Sequence, residues 1–175
     1  LYRYCPESHR MDIVYKEFNQ KNCRVLYEDN QKRIWVGTYH DGLYCIEKGK
    51  VRAFAYPNTD YQNELDYSNI RTMVSDSSGR LWISIYGGGG VGQLNPDNGK
   101  ITLLSEQFPE LKKYKVANAL AVDSHSRLIV GSDNGLYIYD PEKNTVWIPE
   151  QDGGANSVFN RGSYKYNQIL KDHEG

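Results

Sequence analysis

The chain has 175 residues and a nearly balanced charge, with 21 Lys and Arg against 22 Asp and Glu. No basic run exceeds two residues, which argues against a general nucleic-acid-binding surface. No stretch reaches the roughly 20 apolar residues that cross a bilayer. Cys5, Cys23 and Cys45 show neither CxxC spacing nor clustering with His, so neither a structural zinc site nor a disulfide framework is indicated.

One motif recurs along the chain with a period of 47 residues. It reads DNQKRIWVG from Asp29, DSSGRLWIS from Asp76 and DSHSRLIVG from Asp123, with the Asp, Arg and apolar positions in register. A further copy begins at Asp172, after QILK. A repeat of this length, composed of short strand-like segments, predicts an all-β fold of β-propeller blades with four antiparallel strands each.

In chain order, the first predicted elements are strands C and D of an incomplete blade, over residues 1–22. Three complete blades follow, each with strands A to D, and the first strand of a further blade occupies residues 167–175. We therefore expect the chain to be an incomplete propeller. The complete blades are predicted over residues 23–69, 70–116 and 117–166.

Each predicted blade contains four short runs rich in β-branched and aromatic residues, separated by turn residues. The first blade has CRVLYE, RIWVGT, GLYCIE and VRAFAY. The second has IRTMVS, RLWISI, GVGQLN and ITLLS, and the third has NALAVD, RLIVGS, GLYIYD and TVWIPE. The imperfect alternation of apolar and polar residues in these runs is typical of sheets that pack on both faces.

The recurring Asp is a tempting catalytic carboxylate, but its repetition in every blade favours a structural role. A turn Asp accepts hydrogen bonds from backbone N–H groups of the residues that follow, which would hold the A–B hairpin. Trp35 and Trp82, with Ile129 in the third copy, are predicted to fill the layer between blades. The sialidase Asp box is a different motif, because its Asp precedes the Trp by five residues and not by six. No catalytic residue, metal ligand or cofactor site is predicted.

Gly87 to Gly90 form a run that superficially resembles a phosphate-binding loop. Such a loop requires a following Lys-Ser/Thr and a helix, and the sequence has neither. The run instead favours a tight bend between strands B and C, with close approach of a ligand or another chain as the alternative.

The connections between strands differ at the two ends of a blade. In a four-stranded meander the B–C and D–A connections emerge at one end, and here they are long and variable, whereas the opposite turns are short and uniform. Variable loops on a repeated scaffold are where binding residues concentrate. Their Tyr, Asn, Arg and His side chains suit sugars, and the candidate ligand-binding residues are Tyr39, His40, Tyr61, Arg71, Tyr86, Asn134, Asn156, Arg161 and Tyr164.

The segments VSDSSGRLWIS and YEDNQKRIWVGTYHDGLYCI resemble the two-component regulator propeller repeat. Its pattern is apolar-x-x-D-x-x-G-x-L-W-x-G-T, followed by G-L-x-x-apolar. Departures occur where Lys32 and Ser126 replace the Gly79 position, where Ile129 replaces Trp, and where Ser84-Ile85 replaces Gly-Thr. The repeat is known from the extracytoplasmic sensor half of bacterial hybrid two-component systems, especially those of gut Bacteroides-type bacteria.

This resemblance implies a seven-bladed propeller, of which the chain holds about four blades. It further implies a periplasmic location within an inner-membrane-anchored protein, an oligosaccharide ligand, and signalling to a downstream histidine kinase. The implied partners are the remaining blades, the downstream domains and a second copy in a homodimer, with membrane contact only through a downstream helix and no nucleic acid. Such a segment is not itself an enzyme. Two alternatives stay open: an interaction scaffold for a protein partner, and a catalytic propeller such as a lyase or glycosidase.

Overall fold

The computed structural model of the chain describes residues 1–54, 69–86, 89–149 and 165–170. Its described residues form three antiparallel four-stranded sheets and one two-stranded sheet. The short hairpin comes first and consists of β1 (Tyr2–Cys5) and β2 (Arg10–Ile13). A short 3-10 helix over Lys16–Phe18 leads into the first large sheet.

Each large sheet is a meander in which strands pair with their neighbours in sequence. This arrangement confirms the all-β, incomplete propeller predicted from the repeat. The first sheet comprises β3 (Cys23–Glu28), β4 (Ile34–Thr38), β5 (Leu43–Glu47) and β6 (Lys50–Phe54). The second comprises β7 (Ile70–Ser75), β8 (Leu81–Ile85), β9 (Gly90–Leu94) and β10 (Ile101–Leu103). The third comprises β11 (Ala117–Val122), β12 (Leu128–Ser132), β13 (Gly135–Asp140) and β14 (Thr145–Trp147).

The connection between the second and third sheets, which the sequence predicts as one of the variable D–A loops, is helical. After β10, α1 (Leu104–Gln107) is followed by a 3-10 helix over Pro109–Tyr114. Leu104, Leu111 and Tyr114 from this segment are buried against the third sheet. Burial of these side chains fixes the helical conformation. The two helices are too short for an apolar periodicity to be recognised in the sequence.

The inner strand of every large sheet begins with the same irregularity. In each case the pairing with the next strand skips one residue, which is the pattern of a β-bulge. The skipped residues are Arg24, Arg71 and Asn118, which are 47 residues apart. Strands β3, β7 and β11 also lie next to one another across the sheets, so the bulges occupy equivalent positions on adjacent inner strands.

Two large apolar clusters fill the spaces between sheets. The first joins Trp35, Leu43 and Phe54 of one sheet to Ile70 and Ile83 of the next. In the second cluster, Trp82 packs with residues of the third sheet, including Leu128 and Tyr137. The predicted inter-blade role of the motif Trp is thus confirmed, because Trp35 and Trp82 are almost fully buried. Ile129, at the same position of the last described sheet, is half-buried.

Candidate functional site

The motif Asp closes the turn between strands A and B in the same way in all three sheets. These turns join β3 to β4, β7 to β8 and β11 to β12. Its Oδ1 accepts hydrogen bonds from the backbone N–H groups two and four residues later, at 2.9–3.1 Å. Its Oδ2 accepts from the Arg Nε four residues later, at 2.6–2.7 Å. The predicted structural role of Asp29, Asp76 and Asp123 is therefore what the geometry shows.

The third residue after each motif Asp has a left-handed backbone. Gly79 has φ of +79°, and both Lys32 and Ser126 have φ of +62°. Glycine adopts this conformation without steric cost, whereas the other two residues adopt it under the constraint of the Asp hydrogen bonds. The departures from the Gly pattern in the first and third copies thus leave the turn geometry unchanged.

The carboxylates of Asp29 and Asp123 are held as anions. Burial alone would raise the pKa of Asp29, but hydrogen bonds from the Trp35 indole and from Arg33 outweigh it, so the pKa lies below its usual value. At Asp123 burial is likewise outweighed, by the backbone and side-chain hydrogen bonds of Arg127, and the pKa is again lowered. A carboxylate so occupied is suited to holding a turn and unsuited to donating a proton in catalysis.

A cavity lies at the end of the sheets that carries the B–C and D–A connections, here called the loop face. Five residues line it: Arg24, Tyr39, Asn69, Arg71 and Tyr86. Its volume is about 160 Å³, and it spans the first and second sheets. We refer to it as the loop-face cavity.

The same backbone arrangement supports the loop-face cavity in both sheets. The residue after strand B donates its N–H to the carbonyl of the residue just before strand A. These bonds run from Tyr39 to Asn22 and from Tyr86 to Asn69, each at 2.9 Å. The third sheet repeats the contact between Asp133 N–H and the Val116 carbonyl at 3.1 Å.

Side chains at the bulges contact the residues after strand B. The Arg24 guanidinium lies over the Tyr39 ring, 4.6 Å from its centroid, and Arg71 lies over Tyr86 at 5.6 Å. Both are cation–π contacts. In the third sheet the pair becomes Asn118 and Asp133, joined by a hydrogen bond of 2.7 Å.

Three of the candidate binding residues meet at the loop-face cavity, namely Tyr39, Arg71 and Tyr86. His40 lies beside them, with its ring centroid 3.8 Å from that of Tyr39. Asn134 is not among the lining residues. Its Nδ2 donates to the Lys113 carbonyl at 2.5 Å, which ties its turn to the 3-10 helix. The remaining candidates lie outside the described residues: Tyr61, Asn156, Arg161 and Tyr164.

Sequence reasoning missed two residues of the loop-face cavity, Arg24 and Asn69. A signal was available, because Arg24 and Arg71 are one repeat apart, as are Asn22 and Asn69. Identical polar residues that recur one repeat apart, at the start of consecutive A strands, are expected to lie at the same end of the propeller. The β-bulge that exposes the arginines could not be read from the sequence.

The described part of the glycine run forms the predicted bend. Gly90 has φ of +66° and donates its N–H to the Lys115 carbonyl at 3.1 Å. A Cβ on Gly89 would lie 2.9 Å from the Cβ of Ile85. In the other sheets Thr38 and Ser132 hold this turn with a hydroxyl, so glycine here lets the chain fold closely over an apolar side chain.

No group of three or more His, Cys, Asp and Glu side chains among the described residues could hold a metal ion. None of the helices in that part of the chain has the length and apolar character that a membrane crossing needs.

The sheets, the 47-residue repeat and the loop-face cavity define the chain as a segment of a β-propeller. Residues 17–40 match the family model of the two component regulator propeller. Comparison with curated protein sequences gives no significant match.

Solved structures with the same architecture include extracellular domains of hybrid two component systems from B. thetaiotaomicron. One has a TM-score of 0.66 at 26% identity, over 89% of this chain and 21% of that chain. A second has a TM-score of 0.64 at 19% identity, over 83% of this chain and 21% of that one. The chain thus spans about a fifth of the length of these domains. Virginiamycin B lyase from Staphylococcus aureus is similar in fold, with a TM-score of 0.55 at 12% identity over 74% of this chain and 42% of that one.

Proposed function

We propose that the chain is a segment of the periplasmic sensor propeller of a hybrid two-component system protein. In this proposal an oligosaccharide binds at the loop face, and the signal passes to a histidine kinase elsewhere in the same inner-membrane-anchored protein. The remaining blades, the downstream domains and a second copy of the protein are the partners that such a mechanism requires. The similarity to extracellular domains of hybrid two component systems supports the class of protein.

The loop-face cavity is the observation that carries the proposal. It combines two tyrosine rings with the polar groups of Asn69 and two arginines, at the end of the scaffold where the connections vary. Tyr86 remains 42% exposed, so its ring is available to a ligand. Aromatic rings stack on the apolar faces of pyranose sugars, while planar polar groups bind their hydroxyls, so the cavity offers both kinds of contact.

A binding role also accounts better than catalysis for the recurring carboxylates. Asp29, Asp76 and Asp123 are each engaged by the Arg four residues later, at the end of the sheets opposite the loop face. A glycosidase would need two carboxyl groups facing each other across a cleft that holds the sugar. The described residues that line the loop-face cavity include no carboxylate.

The test is calorimetric titration of the complete extracellular domain with a panel of oligosaccharides. Tyr39→Ala and Tyr86→Ala should each weaken binding about tenfold or more, because they remove aromatic contact area from the cavity. Tyr4→Ala is a matched control, since Tyr4 is 53% exposed on the terminal hairpin and does not line the cavity. Absence of binding to every oligosaccharide, or equal losses in all three variants, would refute the proposal.

A further inference from the structure

We propose that the loop-face cavity recognises an anionic group on its ligand, held between the guanidinium groups of Arg24 and Arg71. The ligand class is therefore an acidic oligosaccharide, carrying the carboxylate of a uronic acid or a sulfate ester. This inference rests on the proposed function, because it takes an oligosaccharide to bind at the loop face. It goes further by naming the charge of that oligosaccharide.

Four arginines of the sheets are bound by acceptors within the fold. Arg33, Arg80 and Arg127 are held by their motif aspartates at 2.6–2.7 Å. Arg52 donates to the carbonyl groups of Pro96 and Asp97 on the next sheet. Each of these guanidinium groups has a definite structural acceptor.

Arg24 and Arg71 differ from those four. Among the described residues, neither guanidinium has a carboxylate at ion-pair distance or a hydrogen-bond acceptor. Both instead lie over a tyrosine ring. The five N–H donors of each guanidinium thus have no acceptor in the described part of the chain and can bind water or a ligand.

The contacts with the tyrosine rings also restrict these donors. A guanidinium packed on an aromatic ring uses its flat face for that contact, and its N–H groups lie in the perpendicular plane. The edge of the group is then available for an acceptor with two oxygens, such as carboxylate or sulfate. Because the Tyr contacts restrict both side chains before binding, less conformational entropy is lost when the anion arrives.

Two acidic residues near this end, Asp41 and Asp133, already have partners among the described residues. Asp41 accepts a hydrogen bond from Lys21 at 3.1 Å, and Asp133 accepts one from Asn118 at 2.7 Å. The described residues of the cavity lining include two cations and no anion. Within the described lining, an anion entering the cavity therefore meets two positive charges with no carboxylate beside them.

The third sheet has a different residue pair in place of the Arg–Tyr pairs of the first two sheets. At the positions of Arg24–Tyr39 and Arg71–Tyr86 it has Asn118 and Asp133, which bond to each other. This pair is self-satisfied and includes a carboxylate, so it would repel an anion. The anion site is thus confined, within the described sheets, to the first and second.

The experiment uses the complete extracellular domain and an oligosaccharide array. The array holds uronic-acid oligosaccharides beside their carboxyl-reduced counterparts, and sulfated oligosaccharides beside their desulfated counterparts. We expect binding to acidic members, with the neutral counterparts about tenfold to a hundredfold weaker. Comparing the affinity for the uronic-acid oligosaccharides with that for the sulfated oligosaccharides shows whether the site prefers a carboxylate or a sulfate. Binding of acidic members should also weaken as NaCl is raised, because the arginines are exposed.

Arg24→Gln/Arg71→Gln should remove the preference for the acidic member of each pair. Arg3→Gln/Arg10→Gln is the matched control, since it also removes two positive charges, but from the terminal hairpin, away from the cavity lining. Arg24→Lys/Arg71→Lys should retain part of the preference, because the charge stays while the planar fork is lost. Circular dichroism during heating verifies that each variant is folded. The comparison of acidic and neutral ligands on the unaltered domain needs no variant.

The outcomes separate the two proposals. If neutral oligosaccharides bind as tightly as their acidic counterparts, the sensor function stands and the anion site is refuted. If acidic ligands are preferred but the Gln variant keeps that preference, the anion site lies elsewhere and the inference is wrong. If no oligosaccharide binds, the proposed function itself fails.

Discussion

The indole Nε1 of Trp82 donates a hydrogen bond of 3.1 Å to Oδ2 of Asp76, six residues earlier in the chain. The same carboxylate holds the A–B turn and the Arg80 guanidinium, while the Trp82 ring packs in the cluster shared with the third sheet. One bond therefore connects a local turn to the contact between sheets. Trp35 and Asp29 repeat it at 2.8 Å, whereas Asp123 has no such partner because residue 129 is Ile.

The first prediction follows from this difference between copies. Asp76→Ala should lower the free energy of unfolding by about 3–5 kcal/mol, because it leaves the buried Trp82 N–H without its acceptor and leaves Arg80 with only its exposed partner Glu142. Asp123→Ala should cost only about 1–2 kcal/mol, since no indole depends on it. Its Arg127 partner is also 43% exposed and can bind water. Urea unfolding of the two variants measures both values, and equal costs would refute the proposed role of the indole bond.

The second prediction concerns the stability of the fold at acidic pH. The pKa values of Asp29 and Asp123 are lowered in the folded state, so the unfolded chain binds more protons as the solution is acidified. Their stabilising contribution is complete above the unfolded pKa of about 3.9 and is lost as pH falls through the lower folded values. Melting temperatures between pH 2.5 and 6 should decline steeply at the acid end. In Asp29→Asn/Asp123→Asn the decline should be shallower, and an unchanged slope would contradict this explanation.

The third prediction tests a contact between the first and second sheets. A Cβ at Gly37 would lie 2.6 Å from the Val25 Cγ1 and 2.7 Å from the Ile70 Cγ2. Gly37→Ser should therefore destabilise the fold by about 1–3 kcal/mol. The next repeat has Ser84 and Ala117 at the positions of Gly37 and Ile70. Gly37→Ser/Ile70→Ala should accordingly cost less than the sum of the single changes in a double-mutant cycle. Additive costs would show that the two residues do not constrain each other.

The fourth prediction concerns a buried hydroxyl. Ser84 Oγ is buried and has no hydrogen-bond partner among the described residues. Ser84→Ala should leave stability within about 0.5 kcal/mol or raise it, because no bond is lost and an unsatisfied group is removed. Ser132 is equally buried, but its hydroxyl donates to the Gly135 carbonyl at 2.9 Å and accepts from Asn134. Ser132→Ala should cost about 1–2 kcal/mol, so thermal unfolding of the two alanine variants is a direct comparison.

The fifth prediction concerns the three cysteines, which are all free thiols in the structure. Cys45 is 2% exposed, whereas Cys5 and Cys23 are partly exposed. Burial raises the pKa of both the Cys45 and the Cys23 thiol, which lowers the fraction present as reactive thiolate. Alkylation of the folded protein at pH 8, followed by mass spectrometry, should therefore modify Cys5 first and Cys45 last. Early labelling of Cys45 would contradict its position in the core.

The sequence alone determined the repeat, the strand order and the role of the motif Asp. These features depend on interactions over a few residues, such as the hydrogen bonds from residues two and four positions beyond Asp76. Local hydrogen bonding and apolar runs are encoded where they occur, so a period of 47 residues could be read directly. The inter-blade positions of Trp35 and Trp82 followed from the same register.

Tertiary structure decided what the strand pattern leaves open. The helical segment before the third sheet is fixed by burial of Leu111 and Tyr114, which a local pattern does not encode. The loop-face cavity depends on bulges that turn Arg24 and Arg71 outward, and on two sheets that bring Tyr39 and Tyr86 to one cavity. Such contacts join residues far apart in the chain, and their geometry arises only when the blades pack. The sequence could therefore indicate the loop face, but only the packed sheets show which of its residues meet.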